Sequence, residues 1–273
     1  MVLFDLGFYY FTKVYYGGCM VNKVKEKVAQ GKVTYGTWIT LGYPEVTEAL
    51  SNLPFDWFVI DMEHAPLDVK DVEFLMMPLR FTNIVPIVRV PWNDFVIIKR
   101  VLDTGAQGIL VPQVSTKEEA IQAVKACKYP PQGIRGVGPR RCIMYGFVSA
   151  KEYFKKANED ILVIVQIETE EGVNNVNEIL SVDGIDGVFI GPNDLSASLG
   201  IFQEFNNPKY VAAVEKVLNA AKAAGKIAGI MTQDPQDALD KVKKGFNFIA
   251  LRHDIAYMIR GYTEAFKQLG ILK

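Results

Sequence analysis

Eight short apolar runs, each followed by a stretch of helical spacing, constrain this chain more than any other feature. The runs lie at 33–39, 57–61, 86–90, 108–111, 162–167, 187–190, 227–230 and 248–251. They are rich in β-branched and aromatic residues and too short for helices, as buried strands are. Between them the spacing predicts helices over 45–52, 68–81, 94–103, 116–127, 170–181, 208–224, 235–244 and 255–269. Asn207 followed by Pro208 reads as a cap and first helical residue, and Ser115 or Thr116 ahead of Glu118 and Glu119 reads as a capped start. Strand–helix units in unbroken alternation predict a parallel sheet. Eight of them predict a single α/β domain, a closed (β/α)8 TIM barrel, which takes about 250 residues; the chain has 273.

Two segments depart from the rhythm. Residues 1–19 are rich in Phe and Tyr and run through Gly17-Gly18-Cys19 into Met20. Asp5 and the interrupting Lys13 do not suit a secretory signal, so this stretch is expected to be a leader or alternative-start extension to a barrel domain over 20–273. Residues 128–160 hold Tyr129-Pro130-Pro131-Gln132-Gly133-Ile134-Arg135-Gly136, too rich in Pro and Gly for regular structure. A long excursion in a compact domain is expected to be an ordered, functional loop with a short helical patch at 149–156.

Charge narrows the partners. Lys and Arg number 30 against 31 Asp and Glu, with no basic stripe for nucleic acid. No apolar run approaches the roughly 20 residues that cross a bilayer. Cys19, Cys127 and Cys142 are odd in number and lack CxxC spacing, which fits a reduced, cytoplasmic protein. Cys142 follows Arg140-Arg141, where cations could lower a thiol pKa; a plain loop cysteine is the preferred reading. The expected partners are therefore small molecules.

In a barrel of this kind the carboxyl ends of the strands share one mouth, and chemistry gathers there. The residues at those ends are Trp38, Asp61, Glu63, His64, Arg89, Pro112, Gln166, Glu168, Asn193 and Asp194. His64, one of only two histidines, can be a metal ligand, a general base or a satisfied core residue; the acids around it disfavour the last. Glu168 and Asp194 follow consecutive strands, so their carboxylates can converge, and two carboxylates completed by water or substrate oxygens suit Mg²⁺ or Mn²⁺. Zinc would recruit more His or Cys. Arg89, inside Val85-Pro86-Ile87-Val88-Arg89-Val90-Pro91, must find an anion, because an unpaired buried charge is costly. Its fork suits a carboxylate or an oxygen gaining charge in a transition state. Gly191-Pro192-Asn193-Asp194 offers backbone N–H groups at a strand-to-helix turn. No lysine stands at a strand end for Schiff-base chemistry. The set predicts enolate chemistry on a small 2-keto acid.

Seven segments then resemble a known family in order and spacing, from about residue 22 to 255: Gly36-Thr37-Trp38, 56–64, 86–91, 102–112, 129–136, Gln166-Ile167-Glu168-Thr169 and 191–196. The family is that of the HpcH/HpaI aldolases, the class II, metal-dependent pyruvate aldolases of the phosphoenolpyruvate/pyruvate barrel superfamily. The resemblance implies reversible cleavage of a 4-hydroxy-2-keto acid to pyruvate and an aldehyde, aided by Mg²⁺, Mn²⁺ or Co²⁺. It implies that Glu168 and Asp194 hold the metal, and that His64 is the catalytic histidine, oriented by Asp61 and Asp103. Arg89 would stabilise the enolate. Gln166, Trp38 and the amides of Asn193 and Asp194 would lie around the keto acid. It also implies a homo-oligomer, a hexamer built as a dimer of trimers with a swapped C-terminal helix, in which Arg135 and its loop complete a neighbour's aldehyde pocket. The alternative it leaves is a synthase of the same superfamily, condensing oxaloacetate or its enolate with another acceptor. A keto-acid sensor or structural barrel is disfavoured by the full set of costly polar groups. Three segments are unlike the family: 139–144, Thr232-Gln233 and Arg252-His253. They bear on the aldehyde half of the substrate.

Overall fold

A computed structural model describes residues 22–273. The expected leader at 1–19, and Cys19 with it, lies outside the described residues. The eight strands are β1 (Thr34–Ile39), β2 (Trp57–Asp61), β3 (Val85–Arg89), β4 (Gly108–Val111), β5 (Leu162–Ile167), β6 (Gly187–Ile190), β7 (Ile227–Thr232) and β8 (Phe248–His253). Each pairs in parallel with its sequence neighbours, and β8 returns to β1 to close the barrel. The single (β/α)8 barrel is therefore observed.

Alternation along the strands sorts side chains into two cores. The barrel interior is filled by Trp57, stacked on Phe248 with centroids 3.8 Å apart, and by Phe189, edge-on to Phe248 and Trp38. Gly36 makes room for this, since a Cβ there would lie 2.1 Å from the Trp57 ring. The opposite strand faces, with Ile60, Val88, Ile109 and Val165, meet the helices through residues such as Val101, Val124 and Val217.

Helix starts follow their capping chemistry. Thr116 and Glu119 form a reciprocal capping box, and Asn207 caps the helix Pro208–Ala223. The stretch over 68–81 divides into the helix Val69–Leu75 and a 3-10 turn at Pro78–Phe81, and the stretch over 170–181 divides at Asn175. The helix Lys23–Ala29 has no counterpart in the sequence pattern, and Pro192–Ser198 is the short helix to which the strand-to-helix turn at 191–194 leads.

The excursion after Cys127 is ordered and carries the helix Ala150–Asp160, longer than the expected patch. Arg141 bolts it to the barrel by donating to the carbonyls of Thr104 at 2.8 Å and Met76 at 3.1 Å. Cys142 is buried here, and burial raises its thiol pKa in spite of nearby Arg135, so no activated thiol forms. At the chain's end the helix Asp254–Gln268 has no buried residue.

Candidate active site

Arg89 organises the mouth. As the last residue of β3 it faces Asp61, the last of β2, in register. Its Nε and Nη2 donate to Asp61 Oδ1 and Oδ2 at 2.9 and 2.7 Å, a bidentate pair sealed from water. Nη1 lies 2.7 Å from Glu63 Oε2, an ion-pair contact off the direction of a good hydrogen bond, which leaves that oxygen without a hydrogen-bond donor. The guanidinium lies over the Trp38 ring, 4.2 Å from its centroid. Two acids and an aromatic face hold this cation in one place.

Asp61, expected to orient the His64 ring, is brought to Arg89. Its carboxylate is taken by Arg89 and reaches His64 only through the backbone, accepting from the N–H groups of Glu63 at 3.1 Å and His64 at 3.4 Å. The His64 side chain is 64% exposed, with Glu63 Oε2 at 3.9 Å from Nε2.

Glu168, 1% exposed, sits just past β5. Its Oε1 accepts the backbone N–H of Gln113 at 2.7 Å, and its Oε2 accepts from the Gln166 amide. Gly191 permits this packing, because a Cβ there would lie 2.6 Å from Glu168 Oε2. Burial pushes the Glu168 pKa up to about 7; the two hydrogen bonds oppose the shift, and Glu63 and Asp194 add to it by repulsion. Glu63 is likewise raised to about 7, by burial first, with Arg89 opposing and Asp61 and Asp194 adding. Glu63, Glu168 and Asp194 thus feel one another across the mouth.

Asn193 and Asp194 begin the helix Pro192–Ser198, whose first backbone bond runs from Leu195 N–H to Gly191 C=O. Their amides precede that bond and are not used by it.

Asp103 and Arg135 stand apart from this cluster. Arg135 Nη2 donates to Asp103 Oδ1 at 2.9 Å, and its guanidinium stacks on Tyr129 at 4.3 Å, also reaching the Tyr153 hydroxyl at 3.5 Å. Arg135 is only 1% exposed. Within one chain the structure brings Asp103 to Arg135 and not to His64. Its partner lies 32 positions along the chain, a pairing that spacing does not reveal.

Two site residues escaped the sequence reading. Glu63 stands at a strand end with no sequence signal for its role; what marks it is burial of its carboxylate beside Arg89. Gln113 follows Pro112 with a left-handed φ of 56° and presents its N–H to Glu168; nothing in the sequence announces it.

The residues present fit a divalent cation. Among the described residues no three His, Cys, Asp or Glu side chains form a metal cluster; Glu168 and Asp194 are the carboxylates that could hold the ion, with water or substrate oxygens completing its shell. A glutamate whose pKa is raised by burial, and the Gln166 Oε1 left without a donor, are what a hard cation and its oxygen ligands would satisfy.

Comparison with known proteins bears on the chemistry. The model of the family described as HpcH/HpaI aldolase/citrate lyase matches residues 34–261. A 5-keto-4-deoxy-D-glucarate aldolase of Escherichia coli O139:H28 (strain E24377A / ETEC) is 43% identical over 235 residues, covering 86% of this chain and 91% of that one. The crystal structure of an HpcH/HpaI aldolase/citrate lyase family protein from Burkholderia cenocepacia J2315 superposes with a TM-score of 0.87 at 33% identity, covering 91% of this chain and 99% of that one. The citrate synthase SbnG superposes with a TM-score of 0.82 at 29% identity, covering 91% and 98%.

Proposed function

The chain belongs to the HpcH/HpaI aldolase/citrate lyase family and is an aldolase, a carbon–carbon lyase, and from that premise we propose that its mouth reversibly cleaves a 4-hydroxy-2-keto acid to pyruvate and an aldehyde. The observation that carries the reading is Arg89, held over Trp38 by Asp61 and against Glu63, a carboxylate that in turn acts on the buried Glu168. A fixed cation among carboxylates is suited to an oxygen that gains charge only during the reaction.

In the cleavage direction the C3–C4 bond breaks. Its electron pair moves to C3 and into the C2 ketone, forming the pyruvate enolate, while the C4 hydroxyl loses its proton and C4 becomes the aldehyde carbon. The enolate then takes a proton at C3. Arg89 stabilises the enolate oxygen, and the amides of Asn193 and Asp194 receive the carboxylate. Gln166 orients the keto acid through its free Oε1 side, and Trp38 forms the wall beneath Arg89. His64, open at the rim, carries the proton to and from the C4 oxygen, with Glu63 beside it. Glu168 and Asp194 would hold Mg²⁺, Mn²⁺ or Co²⁺, which when bound supplies Lewis-acid polarisation of the ketone.

One observation supports a homo-oligomer. The helix Asp254–Gln268 presents Met258, Ile259, Tyr262 and Phe266 to solvent and buries nothing, as a helix packed against another copy would in isolation. A hexamer is the assembly this reading favours. Among the described residues no helix is long and apolar enough to cross a membrane, and the unpaired Cys127 and Cys142 suit the cytoplasm.

A second reading keeps the enolate and changes the acceptor. The likeness to a citrate synthase favours condensation of oxaloacetate, or its enolate, with another carbonyl compound.

The deciding experiment is proton NMR of pyruvate in D₂O with the purified protein. Metal-dependent loss of the methyl signal, abolished by chelator and by Arg89→Ala, is the expected result. No exchange with any of the three metals, with turnover of oxaloacetate in its place, would move the assignment to the synthase.

A further inference from the structure

The chain leaves β4 through an uncommon turn. Pro112 is buried, and Gln113 after it takes φ +56°, the left-handed region that favours glycine. A side chain held there stores strain, and such positions gather where local geometry is part of a mechanism. Both ends of the turn are anchored. Ahead of it Val111 pairs with Val165 of β5. Behind it Val114 is buried and Ser115 is held from three sides. The Ser115 Oγ lies 2.6 Å from Thr169 Oγ1, its carbonyl accepts from Asn175 Nδ2 at 2.9 Å, and its N–H donates to Glu119 Oε2 at 2.7 Å. The left-handed residue joins these two anchors while its own N–H still donates to Glu168 Oε1 at 2.7 Å.

Glu168 is met from two further sides. Its Oε2 accepts from the Gln166 amide, and the backbone of Gly191 closes on the same oxygen, where a Cβ would lie 2.6 Å away. One donor on each oxygen fixes the plane of the carboxylate, and each oxygen keeps a second lone pair. Thr169, the next residue, is tied to Ser115. The turn after β4 therefore clamps both Glu168 and its neighbour.

We propose that Gln113 is a positioning residue for the metal: its backbone N–H, carried on the left-handed turn, holds the Glu168 carboxylate in one orientation and so favours a small octahedral ion over a larger one. The inference rests on the reading of Glu168 as a metal ligand and deepens it. Mg²⁺ demands near-ideal octahedral geometry, whereas Ca²⁺ takes carboxylates through one or both oxygens in flexible sites. A carboxylate that already accepts a hydrogen bond on each oxygen is poorly free to turn and chelate a larger ion through both. Its fixed orientation also spares the small ion the cost of ordering a loose side chain.

The test is metal binding without substrate. Mn²⁺ is titrated into the protein and the free ion read by electron paramagnetic resonance; Mg²⁺ and Ca²⁺ are then read by the Mn²⁺ they displace. Gln113→Val is the informative variant, because a β-branched side chain disfavours positive φ. It should weaken Mg²⁺ binding by about tenfold or more, the worth of a hydrogen bond to a charged group, and Ca²⁺ binding by distinctly less. Gln113→Asn keeps the N–H and tolerates the left-handed region, so it should restore the wild-type ratio. An unchanged Mg²⁺ affinity in folded Gln113→Val, or an equal fall for both ions, overturns the proposal. Should Gln113→Val not fold, Ser115→Ala frees the turn from Thr169 with the backbone untouched; it should shift the ratio the same way by less, and no shift overturns the proposal. A wild type without Mn²⁺ binding that Glu168→Gln removes would sink the metal reading and this one with it. Absence of pyruvate exchange, with the ratio still set by residue 113, would sink the aldolase reading and leave the positioning role standing.

Discussion

Asp61 grips Arg89 through both carboxylate oxygens, at 2.9 and 2.7 Å, from register positions on adjacent strands. This pair fixes the guanidinium over Trp38 before any substrate arrives, so little reorganisation remains for the reaction. Asp61→Asn leaves a buried cation with Glu63 as its remaining carboxylate. It should cost about 3–5 kcal/mol of stability, as breaking a buried pair does, and lower kcat by about a hundredfold or more. Urea unfolding and steady-state rates check both. Wild-type kcat in the variant would show that Arg89 needs no anchoring.

Gly36 sets the shape of the barrel interior. A Cβ there would lie 2.1 Å from the Trp57 ring and 2.3 Å from the Trp57 carbonyl oxygen. The ring is stacked against Phe248 and cannot retreat far. Gly36→Ala should destabilise by about 3 kcal/mol or more, at the upper end for overpacking. Thermal unfolding measures it, and an unchanged midpoint would mean that the interior is looser than its contacts indicate.

The barrel was legible because its signals are local. Runs such as Trp57–Asp61, Gly108–Val111 and Leu162–Ile167 end where turn residues begin, and the structure places those strands at the bounds expected. Thr116 and Asn207 cap the helices they precede. The site was legible as a set of residues but less so as a set of pairings. Arg89 needed an anion, which sequence chemistry required, but Asp61 as that anion depends on strand register. Asp103 and Arg135 meet only because the excursion folds back over the end of the helix Phe95–Asp103. Gln113 enters the site through its backbone, which a side-chain reading cannot see.

Acidity in the mouth predicts a distinctive pH dependence. Glu63 and Glu168 rise to about 7 from the usual 4.5. Acids with raised folded-state pKa values leave the folded state binding more protons than the unfolded state between those limits. Their contribution is therefore present below about 4.5 and is lost as pH rises through about 7. The metal-free protein should lose melting temperature between pH 5 and 8, and Glu168→Gln should flatten that slope. Metal binding should run the other way, weakening by about tenfold for each unit below 7 as one proton must leave. Melting curves with and without Mg²⁺ measure both trends. Equal slopes in wild type and Glu168→Gln would remove the buried carboxylate as their source.

Asp103 and Arg135 call for a double-mutant cycle, since loss of activity on changing Asp103 alone has two causes. Arg135 is sealed against Tyr129 and Tyr153, with Asp103 as its counter-charge. Asp103→Asn should therefore destabilise by about 3 kcal/mol through the uncompensated guanidinium. Arg135→Met in the same chain should return much of that, because the cation is then gone; the coupling measured by unfolding should exceed about 1 kcal/mol. Activity need not follow stability. If Asp103 also acts through its second oxygen, the double variant will be stable and slow, with kcat well below that of Arg135→Met alone. If stability and kcat recover together, Asp103 serves only to neutralise Arg135, and the proton chemistry rests with His64 and Glu63.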